Sequence, residues 1–162
     1  MKLQELIDKS DLTMTVDQVR AFFLGVFCAD KPLPFNQAFE ELLIEIEDLD
    51  EDMKPELKKL WDELQGNVKE GLRNILSKSS DPRDFLETSK EHIDFFLTAL
   101  TLSGTNTETC ENEDMAELIE ELEDNVMDIE DYLADEGGSA ETGRELAASL
   151  KETWAEFLKT KK

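Results

Sequence analysis

Residues Val19–Leu43, VRAFFLGVFCADKPLPFNQAFEELL, decide the fold. Apolar residues recur at intervals of three and four on both sides of the Asp30–Pro34 turn, which is the period of an α-helix. Thr15 and Gln18 have the spacing of a capping box and predict where the first helix begins. Pro34 suits the first turn of a second helix. The stretch therefore predicts two consecutive amphipathic helices.

Three small residues mark one face of the first helix. Ala21, Gly25 and Ala29 lie four residues apart, so they project from the same side. A second backbone can approach closely there, while the neighbouring phenylalanines and valines supply buried bulk. We interpret Gly25 as a packing residue without a chemical role.

The same period continues outward in both directions, and polar turns, prolines and glycines separate the segments. The further predicted helices are a short opening around Leu3, Leu6 and Ile7, a third helix from Pro55 to about Leu76 with a bend or a close helix crossing at Gly66 and Gly71, a fourth from Pro82 to Leu100 interrupted near Ser89, a fifth from Met115 to Leu133, and a last one from Thr142 to the terminal lysines. No segment alternates as a strand does. A chain of 162 residues is one domain in length, so we predict a single all-α bundle of about six helices.

An internal similarity links the two halves. Phe22–Leu24 and Phe95–Leu97 both read Phe-Phe-Leu, and each is followed by a turn and an acidic amphipathic helix. We interpret the pattern as two similar helical hairpins. A chance likeness between acidic amphipathic helices is the alternative.

A family resemblance rests on three segments. Val19–Cys28, VRAFFLGVFC, and Pro32–Leu43, PLPFNQAFEELL, resemble the YecA/YgfB-like family of small bacterial helical proteins, and Ile93–Leu100, IDFFLTAL, resembles the family's second version of the first helix. Phe95 stands where the family favours glycine, and the cysteine-rich metal-binding tail of some members is absent. The resemblance implies an all-α bundle with a regulatory or binding role and no catalytic residue.

Charge is abundant and unevenly distributed. Seventeen Lys and Arg against 40 Asp and Glu give a net charge of −23, which repels nucleic-acid phosphates and anionic lipids. We therefore expect no direct contact with nucleic acid or membrane. Residues 91–143 contain 17 acids and no Lys or Arg. Within them, 26 residues from Glu111 to Glu136 hold 13 acids, or one charge per about 3 Å of helix.

This acidic row predicts a surface for a basic protein partner. Its candidate residues are Glu113, Glu117, Glu120, Glu121, Asp124, Asp128 and Asp131. Alternatively, the acidic residues only keep the protein in solution, and we give this interpretation the same weight as partner binding. A DNA-mimic inhibitor is the second functional hypothesis, and a hydrolase using carboxylates alone is the third, since the sequence does not reveal a buried carboxyl with a raised pKa.

The spacing of the candidate ligand residues argues against a metal site. Asp48, Asp50 and Asp52 imitate the start of a calcium loop, but Met53 and Lys59 occupy the positions that need Gly and Glu. A di-iron site needs Glu three residues before each His, whereas Ser89 precedes His92, the single histidine. We therefore predict no metal and no cofactor.

No catalytic motif stands out. We expect His92 to be a half-exposed boundary residue, and Cys28 to be a packing residue. Two cysteines in 162 residues favour reduced thiols at Cys28 and Cys110 over a disulfide framework. With no apolar stretch of signal-peptide length near Met1, we predict a cytoplasmic, non-enzymatic protein and leave a homodimer open.

Overall fold

A computed structural model of the chain describes residue 5 and residues 15–45, 51–135 and 138–160. These residues form seven α-helices and contain no strand, which confirms the all-α bundle. The helices are α1 (Val16–Cys28), α2 (Phe35–Glu45), α3 (Lys54–Gln65), α4 (Val68–Arg73), α5 (Pro82–Leu102), α6 (Glu113–Ala134) and α7 (Ala140–Thr160), with a 3-10 turn at Glu51–Met53. The predicted opening helix around Leu3, Leu6 and Ile7 lies outside the described residues.

Two predicted helix starts are confirmed. At α1 the Gln18 backbone N–H donates to Thr15 Oγ1 (3.2 Å) and the Thr15 N–H donates to Gln18 Oε1 (3.0 Å), which completes the capping box. At α5 Pro82 occupies the first turn. The interruption expected near Ser89 is wrong, because α5 is continuous and the buried Ser89 hydroxyl accepts a hydrogen bond from the Ser77 N–H (2.8 Å).

Two other boundaries differ from the sequence prediction. The third helix is divided at Gly66–Asn67 into α3 and α4, where a bend is predicted, but α4 ends at Arg73 instead of Leu76. The last helix begins before Thr142, because Ser139 Oγ accepts from the Thr142 N–H (3.1 Å) and thereby caps α7.

α1 and α5 approach each other closely at Gly25. A Cβ atom placed on Gly25 would collide with the Phe96 carbonyl oxygen and would lie 2.7 Å from the Ala99 Cβ. Gly25 therefore lets the two backbones touch, as the small face of α1 predicts. Both helices are buried along this contact, since Ala21, Phe96 and Ala99 have no exposed surface.

Two aromatic clusters fill the core on either side of that contact. In the first, the Trp61 ring meets Phe23, Phe27 and Phe35 edge-on, with centroids 4.5–5.4 Å apart. In the second, Phe96 meets Trp154 and Phe157 at 5.2 and 5.5 Å. Trp154 Nε1 also donates to the Leu72 carbonyl (2.9 Å), which fastens α7 to α4.

The two proposed hairpins differ in how their helices meet. α5 and α6 pack along each other, whereas over the described residues the backbones of α1 and α2 do not run side by side. Phe35 of α2 instead reaches Phe23 of α1 edge-on, with ring centroids 6.3 Å apart. The internal repeat stays a prediction, although its first helices, α1 and α5, are the pair that cross.

Replacing Gly25 with alanine tests the α1–α5 contact. The new methyl group meets a backbone carbonyl that cannot move without shifting α5, so Gly25→Ala lowers the free energy of unfolding by about 1–3 kcal/mol despite the better helix propensity of alanine. Urea unfolding followed by circular dichroism measures it.

Gly66→Ala is the matched control. A Cβ there lies 3.6 Å from the nearest atom, the Asp62 carbonyl oxygen, and the backbone is right-handed, so stability stays equal or rises by up to about 1 kcal/mol. Equal stability of Gly25→Ala and the wild type would contradict the close approach.

Candidate partner-binding surface

The seven predicted partner-binding residues lie along the outer side of α6, and all are exposed. At about 100° of rotation per residue they occupy an arc of roughly 100°, and from first to last they span about 27 Å of helix axis. We call this set the acidic stripe: Glu113, Glu117, Glu120, Glu121, Asp124, Asp128 and Asp131.

Local sequence explains why α6 presents this face. Asn112 caps the helix, with its Oδ1 accepting from the Met115 N–H (3.1 Å), and acids in the first turn suit the positive end of the helix dipole. At the other end the Arg83 guanidinium donates to the Leu133 carbonyl (2.8 Å) and lies over the Tyr132 ring. The opposite face is buried in the core through Met115, Ile119, Leu122, Val126 and Ile129.

Within the described chain, the carboxylates of the acidic stripe have no cationic partner and accept no side-chain hydrogen bond. None of its seven carboxylates forms an ion pair or a side-chain hydrogen bond with a described residue. One ion pair there does reach α6, between Lys90 Nζ and Glu130 Oε1 (3.3 Å), and it lies beside the stripe. Neighbouring acids three and four residues apart therefore repel each other without compensation.

A groove separates α6 from α5 along one edge of the acidic stripe. It encloses about 360 Å³ and is open to solvent. We call it the α5–α6 groove, and it is lined by Asp94, Leu97, Thr98, Thr101, Leu102, Glu123, Val126 and Met127. The floor is apolar and the charged groups on its walls are carboxylates. Met127 stands out because 63% of its surface is exposed.

Two carboxyl groups on this groove have raised pKa values. Partial burial raises the pKa of Glu123, and repulsion from Asp124 and Glu120 adds to the effect. Burial also raises the pKa of Asp94, against the opposing influence of Lys90, whose Nζ lies 3.2 Å from Asp94 Oδ2. Both groups thus hold their negative charge less readily than free carboxyls do.

The other edge of the acidic stripe continues onto α7. A second groove of about 440 Å³ lies between α6 and α7, where Glu121 and Asp124 face the exposed Glu152 and Glu156. Beneath them Asn125 donates to Thr153 Oγ1 (3.1 Å), which joins the two helices. The sequence does not indicate that α7 belongs to this surface, because the distance between the acids of α7 and those of α6 depends on tertiary packing.

His92 is buried, with 7% of its surface exposed, so its predicted half-exposed position is wrong. Its Nδ1 lies 2.7 Å from the Ile75 carbonyl oxygen and must carry a proton to donate to it. The ring borders a cleft of about 710 Å³ between α1, α4 and α5, which Arg20 and Lys78 also line.

Metal-binding groups are not assembled in the described ranges, where no three His, Cys, Asp or Glu side chains converge as ligands would. Asp48 and Asp50 lie outside those ranges. Cys28 is buried, Cys110 is half-buried, and the two sulfurs are not bridged. Across the same part of the chain, no helix combines the length and the apolar character that crossing a lipid bilayer requires.

The chain matches no protein-family model, no curated protein and no solved structure. Membership of the YecA/YgfB-like family therefore stays a prediction from the segments around Gly25 and Phe96.

Neutralising Glu123 tests the electrostatic description. Its raised pKa means that folding disfavours the charged form, so the charge opposes folding at neutral pH and stops doing so as the pH falls through the folded-state pKa. Glu123→Gln therefore raises the free energy of unfolding at pH 7 by about 0.2–0.5 kcal/mol, and the gain disappears at about pH 3. Urea unfolding at both pH values measures the difference.

Glu87→Gln, on the exposed side of α5, provides the control for a general loss of negative charge. A gain at pH 7 that is no larger for Glu123→Gln than for this control would contradict specific repulsion around Glu123.

Proposed function

We propose that the protein is a non-enzymatic binding or regulatory module whose acidic stripe engages a basic protein. One observation carries the proposal: seven exposed carboxylates line one side of a helix, and none has a cation among the described residues. Lysine and arginine side chains of a partner would relieve their mutual repulsion. Two cysteines in 162 residues are too few for a disulfide framework, which supports action in the reducing cytoplasm.

Electrostatics would act mainly on the rate of encounter. A one-sided field attracts a basic partner from a distance and orients it, and added salt screens that attraction. A row of acids that only maintained solubility would give no advantage to concentrating them on α6 and its border with α7. The arrangement thus favours recognition over solubility.

A DNA-mimic inhibitor is the second candidate. Seven charges over about 27 Å correspond to one per roughly 4 Å, close to the 3.4 Å spacing of a single DNA strand but less than half the linear density of a duplex. A protein that normally binds a single strand is therefore the better target for mimicry. Competition with labelled DNA distinguishes this candidate from an ordinary adaptor.

A carboxylate-only hydrolase has less support. It requires two carboxyls in a polar pocket, whereas Asp94 and Glu123 stand on the walls of an open groove with an apolar floor. Asp94 is also tied to Lys90.

The proposal is tested by neutralising the middle of the acidic stripe. A variant carrying Glu117→Gln, Glu120→Gln, Asp124→Asn and Asp128→Asn should recover at least tenfold less of its specific partner from cell lysate at about 0.1 M salt. Wild-type recovery should itself fall when the salt is raised to about 0.5 M. Quantitative mass spectrometry of the captured proteins provides the measurement.

A second variant removes the same number of charges elsewhere. It carries Glu40→Gln, Glu63→Gln, Glu87→Gln and Glu145→Gln, four exposed acids outside the stripe, and should recover the partner nearly as well as the wild type. If both variants recover equally less of the partner, the effect comes from total charge and not from the acidic stripe, and the proposal is refuted.

A further inference from the structure

We infer that the α5–α6 groove receives an amphipathic helix of the basic partner, with its apolar side in the groove and its lysines or arginines against the carboxylates of α6. This inference rests on the proposed function and adds the structural class of the partner and the place where it docks. It is carried by the groove's apolar floor, by one exposed methionine and by the charges along its walls.

The floor supplies apolar anchoring. Leu97 and Leu102 of α5 are half-buried, and Val126 of α6 is almost wholly buried beneath them. Met127 and Ile44 are the two large apolar side chains that stand exposed in the described ranges, and Met127 alone lines the groove. A flexible thioether at the mouth of an apolar groove adapts to many apolar partners. Helices bind such grooves with side chains spaced at three and four residues.

Lys90 shows how a cation is bound between α5 and α6. Lys90 Nζ lies 3.2 Å from Asp94 of α5 and 3.3 Å from Glu130 of α6, so one ammonium group joins carboxylates from both helices. Because residues 91–143 contain no Lys or Arg, α6 has no cation that could serve Glu123 in the same way. A partner's lysine or arginine beside Glu123 would repeat the Lys90 arrangement further along the groove.

The apolar and acidic parts are adjacent on one helix. By helical rotation, Met127 lies about 20° from Glu120, at the edge of the acidic stripe that faces α5. A helix laid along the groove therefore has its apolar residues on Met127 and its flanking cations near Glu120 and Glu123. Such cations would relieve the repulsion that Glu120 and Asp124 exert on Glu123.

A second copy of this chain fits the groove poorly. Each copy has a net charge of −23, and α6 would bring its own carboxylates toward those of the first copy. Charge complementarity therefore selects a basic helix over a homodimer.

The experiment uses a synthetic probe and the full-length protein. The probe is a fluorescein-labelled peptide of about 18 residues made of leucine, lysine and alanine, with leucines at helical spacing. The control is a labelled peptide of the same composition in which the order of residues breaks that spacing. Fluorescence anisotropy at about 0.1 M salt gives the affinities. The periodic peptide should bind at least tenfold more tightly than the reordered one.

Two single variants locate the peptide. Met127→Gln should weaken binding of the periodic peptide by about tenfold, as expected for loss of one central anchor, while Ile44→Gln should change it by less than about twofold. Amide shifts in NMR spectra should concentrate at Leu97, Thr101 and Val126. Sedimentation of the free protein reports self-association.

Three outcomes would overturn the inference: equal affinity for both peptides, equal effects of Met127→Gln and Ile44→Gln, or a dimer that Met127→Gln dissociates. If one of these outcomes occurs but neutralising the acidic stripe still weakens peptide binding or partner capture, the proposed function stands while the groove inference fails. If stripe neutralisation changes neither peptide binding nor partner capture, the proposed function fails as well.

Discussion

The rest of the bundle depends on backbone contact between α1 and α5. At Gly25 the two helices approach so closely that the Phe96 carbonyl and the Ala99 methyl occupy the space a side chain would need. This contact fixes the rotation of α5 about its own axis. Phe96 and Ala99 then face α1, which leaves Leu97 and Thr98 on the side that lines the groove with α6. The groove is thus positioned by an uncharged contact between two helix backbones.

Much of the fold could be predicted because its signals are local. The period of apolar residues identifies the core helices, and the Thr15 cap and Pro82 locate two of their starts. The two glycines of the third predicted helix indicate a bend or a close helix crossing, but the sequence does not decide which glycine has which role, because the apolar period continues through both. In the structure the helix divides at Gly66, whereas α4 packs so tightly that a Cβ on Gly71 would lie 2.9 Å from Leu24 Cδ2. Likewise, the sequence predicts that the last helix begins at Thr142, whereas Ser139 caps it three residues earlier.

The candidate site also has one part that the sequence predicts and one part that depends on tertiary packing. The acidic stripe could be predicted, since an amphipathic helix turns its polar residues outward and all seven acids are exposed. The groove could not be, because it pairs Leu97 with Met127 across two helices whose register follows from packing. His92 shows the limit for a single residue. Nothing in its neighbours indicates that the Ile75 carbonyl will reach its ring.

The division of the core into two aromatic clusters places one indole in each. Trp61 sits among Phe23, Phe27 and Phe35, whereas Trp154 stacks on Phe157 and donates its N–H to the Leu72 carbonyl. Emission from each fluorophore consequently reports on a different half of the molecule. A chain with one tryptophan retained at a time would reveal by its quenching and spectral shift whether the halves melt together or in sequence.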